Sequence, residues 1–201
     1  MPKLRLGVLG STKGTDLQAI IDAVKTGELD AEIVLVASDR QDAFILERAR
    51  IHGIETFVPD YANFPDRWGA EQQIVAKLRE KGADLVLLIG FMKILTPNFV
   101  QEFKGRIWNI HPSLLPKYAG GINMNVHETV LRNKDKETGC TLHEVTEHVD
   151  RGKIIMQKKT PVQAGDTTET LKGKVQKLEQ ECFLEAIKMV TEGKIVIGGQ
   201  K

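Results

Sequence analysis

Two spacings of apolar residues alternate along the first half of the chain. Leu4, Leu6, Val8 and Leu9 form a dense run that stops at Gly10, the pattern of a buried strand. Leu17, Ile20, Ile21 and Val24 then recur at helical spacing, which predicts a helix from Thr15 or Asp16 to about Gly27. Residues 32–37 predict a second strand, and Phe44, Ile45, Leu46 and Ala49 suit a following helix. A short strand over 53–58 closes at Pro59, and 68–81 reads as a helix with Ile74, Val75 and Leu78 inward. Residues 84–89 predict another apolar strand, 97–103 a short helix, and 106–110 a strand. Strands alternating with helices imply a parallel sheet covered on both faces.

The pattern changes after residue 111. Residues 112–126 are rich in Pro, Gly and Asn and read as loop, with a helix near 127–132. Residues 139–145 and 152–162 alternate with period two and predict a hairpin-like pair of strands. Residues 168–191 carry the longest helical pattern, with Leu171, Val175, Leu178, Cys182, Ile187 and Val190 facing in. The expected fold class is α/β: a Rossmann-like, mostly parallel twisted sheet flanked by helices, with a C-terminal strand and helix extension. Neither a repeat nor a linker divides the chain. A single domain over 1–201 is expected, with 1–105 as its mononucleotide-binding part and 106–201 as its catalytic and C-terminal helix part.

Composition narrows the function classes. Lysine plus arginine total 28 against 27 aspartate plus glutamate, a net charge of +1 in 201 residues. That balance supplies no global field for nucleic acid or an anionic membrane. Cys140 and Cys182 are the only cysteines, which excludes a disulfide scaffold and suits a reducing compartment. The longest apolar stretch, 85–92, falls far short of the ~20 residues that cross a bilayer. A cytoplasmic location and small-molecule substrates are expected, in a monomer or homodimer, with no nucleic acid or membrane partner.

Three segments carry candidate chemistry. Gly10-Ser11-Thr12-Lys13-Gly14-Thr15-Asp16 joins a strand to a helix, where backbone amides and the helix field suit an anion. It matches neither a Walker A loop nor Gly-x-Gly-x-x-Gly, so a plain turn with Thr15 or Asp16 as helix cap stands beside the phosphate reading. At Trp108-Asn109-Ile110-His111-Pro112, two residues of spacing place Asn109 and His111 on one face of a strand. An amide beside an imidazole can stabilise an oxyanion and move a proton. The third segment runs from Gly139 through His143 to Asp150-Arg151-Gly152, where Asp150 could orient His111 or accept a proton. Taken alone, 150–152 is an ordinary turn and His143 a supporting histidine, while His52, His127 and His148 carry no argument for function. Five histidines without ligand spacing imply no metal site.

Together, segments 14–20, 89–95, 109–118 and 139–150, with 175–179 in the last helix, resemble the folate-dependent formyltransferase family from about Leu6 to Ile187. The Asn109–His111–Asp150 set is the part shared across the family. The first turn and the last helix resemble its ribonucleotide branch, and no Arg-Gly-Ala follows the His-Pro-Ser loop, unlike the methionyl-tRNA branch. The resemblance implies a formyltransferase fold and 10-formyltetrahydrofolate as the formyl-donor co-substrate, without a metal. It implies formyl transfer to the amine of glycinamide ribonucleotide, with catalytic Asn109, protonated His111 and Asp150. It places folate against Arg67, Met92, Lys93, Ile94, Leu95 and Asn109. It places the ribonucleotide against Gly14, Thr15, Asp16, Leu17, Gln18, Gln176 and Glu179.

Three positions and one loop depart from the family pattern: Asp16 stands for a usual Asn, Lys93 for Arg and Lys153 for Pro, and the 119–127 loop is different and longer. The alternatives are a 10-formyltetrahydrofolate hydrolase, transfer to a different amine such as that of a sugar nucleotide, and an inactive binding remnant. The hydrolases carry an extra N-terminal regulatory domain and the sugar-nucleotide enzymes an extra binding module, neither of which is expected here. The intact Asn109, His111 and Asp150 argue against a remnant.

Overall fold

The computed structural model describes residues 2–120 and 125–198. Seven strands form one sheet in the order β3-β2-β1-β4-β5-β6-β7. These are β1 (Leu4–Leu9), β2 (Ala31–Ala37), β3 (Thr56–Phe57), β4 (Leu85–Leu88), β5 (Ile107–His111), β6 (Glu137–Glu144) and β7 (Ile154–Pro161). The first five strands pair in parallel, and β6 and β7 extend the sheet in antiparallel fashion. Helices α1 (Thr15–Lys25), α2 (Phe44–Ile51), α3 (Arg67–Glu80) and α4 (Pro97–Glu102) follow β1 to β4 in chain order, and α5 (Val126–Arg132) and α6 (Thr168–Thr191) complete the set.

The apolar runs explain this order. Strands β1, β2 and β4 are buried on both faces because helices cover both faces, so they read as continuous rather than alternating hydrophobics. One core joins Leu6, Val8, Leu85 and Leu87 to α1, α2 and α6. The opposite face packs Leu9, Leu35, Val86 and Leu88 against Ile74, Leu78 and Phe99. Helix α6 keeps Val175, Cys182, Phe183, Ala186 and Ile187 on the sheet and packs Leu171 against α5. Thr167 and Thr170 cap its start reciprocally, satisfying two backbone amides that the helix itself leaves free.

Some expectations change. The strand expected over 53–58 contracts to Thr56–Phe57 at the sheet edge, and a 3₁₀ turn at Tyr61–Asn63 was not foreseen. Phe44 begins α2 but is exposed, leaving Ile45, Leu46 and Ala49 as the inward residues. Neither Thr15 nor Asp16 caps α1. Gly14 is the N-cap, in the left-handed region at φ 65°, and a Cβ there would meet Ile45 at 2.5 Å. Among the described residues, no helix is long and apolar enough to cross a membrane.

Candidate active site

A cleft of about 410 Å³ opens beyond the carboxyl ends of β1, β4 and β5. This is where parallel α/β sheets place ligands. Its lining includes the first turn, residues 88–95, the end of β5, the 145–150 loop and one edge of α6.

Strand β5 delivers Asn109 and His111 to one face, and the antiparallel register sets His143 of β6 opposite Asn109. Asp150 arrives from the β6–β7 connection, a non-glycine residue at φ 55°. Gly152 makes that placement possible. A Cβ there would lie 1.7 Å from the Glu144 carbonyl oxygen, so only glycine lets the loop fold so tightly onto β6.

Asp150 bridges two imidazoles. Its Oδ2 lies 3.4 Å from Nδ1 of His111, and its Oδ1 3.5 Å from Nε2 of His143. The Gly120 amide donates to Oδ2 at 2.8 Å. Burial pushes the Asp150 carboxyl up. The hydrogen bond from Gly120 and the two neighbouring imidazoles, His143 and His111, outweigh that and hold it below the ordinary carboxylate value.

Nε2 of His111 donates to the Tyr118 carbonyl at 3.1 Å, which turns Nδ1 toward Asp150. Burial lowers the His111 pKa, and the opposing pull of Asp150 and the Tyr118 carbonyl does not cancel it. Burial therefore works against the protonated His111 that the resemblance implies and favours the neutral ring with its proton on Nε2.

His143 belongs to this centre, beyond the supporting part expected of it. Its Nδ1 donates to the Glu144 carbonyl at 2.9 Å, and its Nε2 lies 3.1 Å from Nδ2 of Asn109. A neutral His143 accepts one amide proton of Asn109 and leaves the other free for a ligand. Period-two pairing across β5 and β6 was the available signal, but it needed the register.

The exit loop after His111 is clamped. Thr141 donates to the Ser113 carbonyl at 2.7 Å and accepts from the Leu115 amide at 2.9 Å. Gln157 donates to Thr141 at 2.8 Å and to the Leu115 carbonyl at 2.9 Å. Part of the expected 119–127 departure, residues 121–124, lies outside the described residues.

Residues 92–95 form the other wall. The Met92 amide donates to Oγ of Ser11 at 2.9 Å, so the first turn and this segment hold each other. Met92 is 54% exposed and Ile94 44%, an apolar ledge beside the cleft. Arg67 does not line the cleft; it donates to the Ile94 carbonyl and braces the segment from behind.

At the α1 end, Gly14, Thr15, Asp16, Gln176 and Glu179 line the cleft as expected. Two expected residues do not. Leu17 is fully buried in the core. Gln18 turns away to hydrogen-bond Asp22 at 2.9 Å and Arg48 at 3.1 Å. Helical spacing explains both, because only one face of α1 meets the cleft. Lys172 and His127 join this end, and His148 the far end, though the sequence singled out none of them. Helix α6 presents Lys172, Gln176 and Glu179 at i, i+4 and i+7, beside its buried stripe. Gln176 reaches the Thr15 hydroxyl, tying α6 to α1.

Asp16 is 5% exposed, and its Oδ1 has no hydrogen-bond partner. Burial pushes it up to about 7. The helix field favours the ionised form by only ~0.3–1 kcal/mol, less than one tenfold step in acidity, so burial wins. Burial, then the charge of Asp16, pushes Glu179 up to about 8.

A family model described as formyl transferase matches residues 4–187. The chain belongs to the formyl transferase family. It is 40% identical over 192 residues to the phosphoribosylglycinamide formyltransferase of Escherichia coli (strain K12), covering 96% of this chain and 89% of that protein. The human trifunctional purine biosynthetic protein adenosine-3 is 39% identical over 196 residues, or 98% of this chain and 19% of that protein. Among solved structures, glycinamide ribonucleotide transformylase 1 from Symbiobacterium toebii superposes with a TM-score of 0.90 at 40% identity. That match covers 98% of this chain and 92% of the other. The formyl transferase fold anticipated from residues 109–118 and 139–150 is the fold observed.

Proposed function

We propose that the chain transfers the formyl group of 10-formyltetrahydrofolate to the amine of glycinamide ribonucleotide, a step of purine biosynthesis. The observation that carries this is the convergence of Asn109, His111 and Asp150 at one cleft, in a chain whose relatives carry this activity in their names. In this reading residues 1–105 bind the acceptor phosphate and much of the folate. Residues 106–201 supply the catalytic groups and the α6 contacts, within one formyltransferase domain.

The residues fit a folate. The 92–95 segment offers backbone donors and acceptors beside an apolar ledge, which suits a flat ring with polar edges. Lys93 adds a charge at the mouth.

The chemistry follows from the geometry. The neutral acceptor amine attacks the formyl carbon, and negative charge grows on the formyl oxygen. The free amide proton of Asn109 and a proton on Nδ1 of His111 stabilise that oxygen, each donor being worth ~3–4 kcal/mol in a dry site. Asp150, ionised at neutral pH, stabilises the imidazolium that His111 becomes. Asp150 and water relay the one proton that the amine nitrogen sheds to Nδ1 of His111, which passes it to the folate nitrogen as the carbon–nitrogen bond breaks. The carbon changes partners without a covalent enzyme intermediate.

The test is a formyl-transfer assay with the purified chain and a panel of amine acceptors, water included, beside His111→Ala. Transfer to glycinamide ribonucleotide that His111→Ala reduces by at least ~100-fold supports the reading. Transfer only to water, only to another amine, or undiminished in His111→Ala overturns it.

A further inference from the structure

The catalytic scheme leaves two carboxyls of the cleft unused, the buried Asp16 and the half-buried Glu179. Asp16 and Glu179 lie on α1 and α6, which meet at the acceptor end of the cleft. Thr15 is the point of contact, taking hydrogen bonds from Gln176 at its hydroxyl and Gln180 at its carbonyl. Asp16 follows Thr15 and Glu179 precedes Gln180, so both acids flank that contact and face the same space.

The surroundings do not neutralise them. Lys172 of α6 draws Glu179 toward ionisation but does not offset its burial, and the Cys182 thiol behind it pushes the other way. His127 of α5 is itself held neutral by burial and by Lys172. On the α2 side, Arg48 donates to the Lys13 carbonyl and to Gln18, away from Asp16. The Lys13 side chain is exposed. Oδ1 of Asp16 therefore stays buried, facing the cleft, with no donor.

Resting on the function proposed above, we propose that Asp16 and Glu179 share a proton at the acceptor end of the cleft, and that a phosphate-bearing acceptor binds there with uptake of another proton. Two carboxylates that line one cleft and feel each other's charge cannot both ionise cheaply, so a neutral acid and a carboxylate coexist. An arriving phosphate adds negative charge beside them and raises their proton affinity further. A protonated Asp16 then donates to a phosphate oxygen, where an ionised one repels it. Asp16 thus makes acceptor binding weaken as pH rises, a dependence an amide at this position would lack.

The free protein tests the pair directly. With carboxyl-¹³C aspartate and glutamate, the signals of Asp16 and Glu179 titrate above pH 6 in wild type. The aspartate signal disappears in Asp16→Asn and the glutamate signal moves to lower pH; Glu179→Gln moves the aspartate signal down reciprocally. An Asp16 signal titrating near the ordinary ~3.9 overturns the pair.

Acceptor binding tests the linkage. Calorimetry near pH 7.5 in two buffers of different ionisation enthalpy should show wild type taking up a larger fraction of a proton than Asp16→Asn on binding glycinamide ribonucleotide. The ratio of wild-type to Asp16→Asn acceptor KM should rise by up to about tenfold per pH unit above ~8. Equal uptake and parallel KM profiles overturn the linkage. The acceptor amine titrates identically for both proteins and cancels in the ratio. If glycinamide ribonucleotide binds neither protein, the functional reading fails together with the linkage, while the carboxyl titration still decides the pair.

Discussion

Oδ2 of Asp150 faces Nδ1 of His111 at 3.4 Å, while the opposite ring nitrogen is committed to the Tyr118 carbonyl. The carbonyl fixes the tautomer, so the only imidazole nitrogen open to a proton from the reaction is the one beside the acid.

Asp150→Asn keeps the shape of the side chain and removes its charge. Turnover should fall by about 10²–10⁴ while the KM of each substrate stays within a few-fold. Steady-state kinetics with both substrates varied would show it. A loss confined to KM would mean that Asp150 binds rather than moves protons.

Removing His143 should expose its coupling to the same acid. His143 is among the groups that hold Asp150 below the ordinary carboxylate value, so His143→Ala should raise the Asp150 pKa. The acid limb of the kcat profile then moves to higher pH. An unmoved limb, with kcat merely scaled down, would reduce His143 to a packing role.

Gly152→Ala should uncouple the loop from the sheet. The added methyl would meet the Glu144 carbonyl, so the chain must shift and carry Asp150 with it. A destabilisation of about 1–3 kcal/mol is expected, with turnover falling more than stability alone explains. Denaturant melts and kinetics on the same preparation separate the two effects.

Asp16→Asn should change how stability depends on pH. The folded-state pKa of Asp16, about 7, lies above its unfolded value, so the neutral acid is favoured in the fold. Its contribution is fully present below ~3.9 and is lost as pH rises through about 7. Asp16→Asn lacks this loss, so its Tm should exceed wild type by several degrees at pH 8–9, with the gap narrowing toward pH 5. Thermal melts across that range check the sign.

Much of the site could be read along the chain. Asn109 and His111 sit two apart on one strand, and strand geometry alone sends them to the same face. Helix α6 showed its buried stripe through spacing, and its other edge carried Gln176 and Glu179 to the cleft. Leu17 and Gln18 belonged to a recognisable segment, yet the helix period turns one into the core and the other toward α2. Arg67 was recognisable too, but it braces the Ile94 carbonyl instead of the cleft.

The order of apolar and polar residues determined the elements and the covered sheet, because burying each apolar face is a local requirement repeated along the chain. Tertiary structure alone decided that His143 stands across from Asn109, that Gly152 brings Asp150 between two histidines, and that Asp16 loses its solvent beside Glu179. Those relations join Asn109 to His143 across 34 positions, His111 to Asp150 across 39 and Asp16 to Glu179 across 163. Register, tight turns and helix docking set them, and the energy of a charge depends on what surrounds it rather than on what adjoins it in the chain.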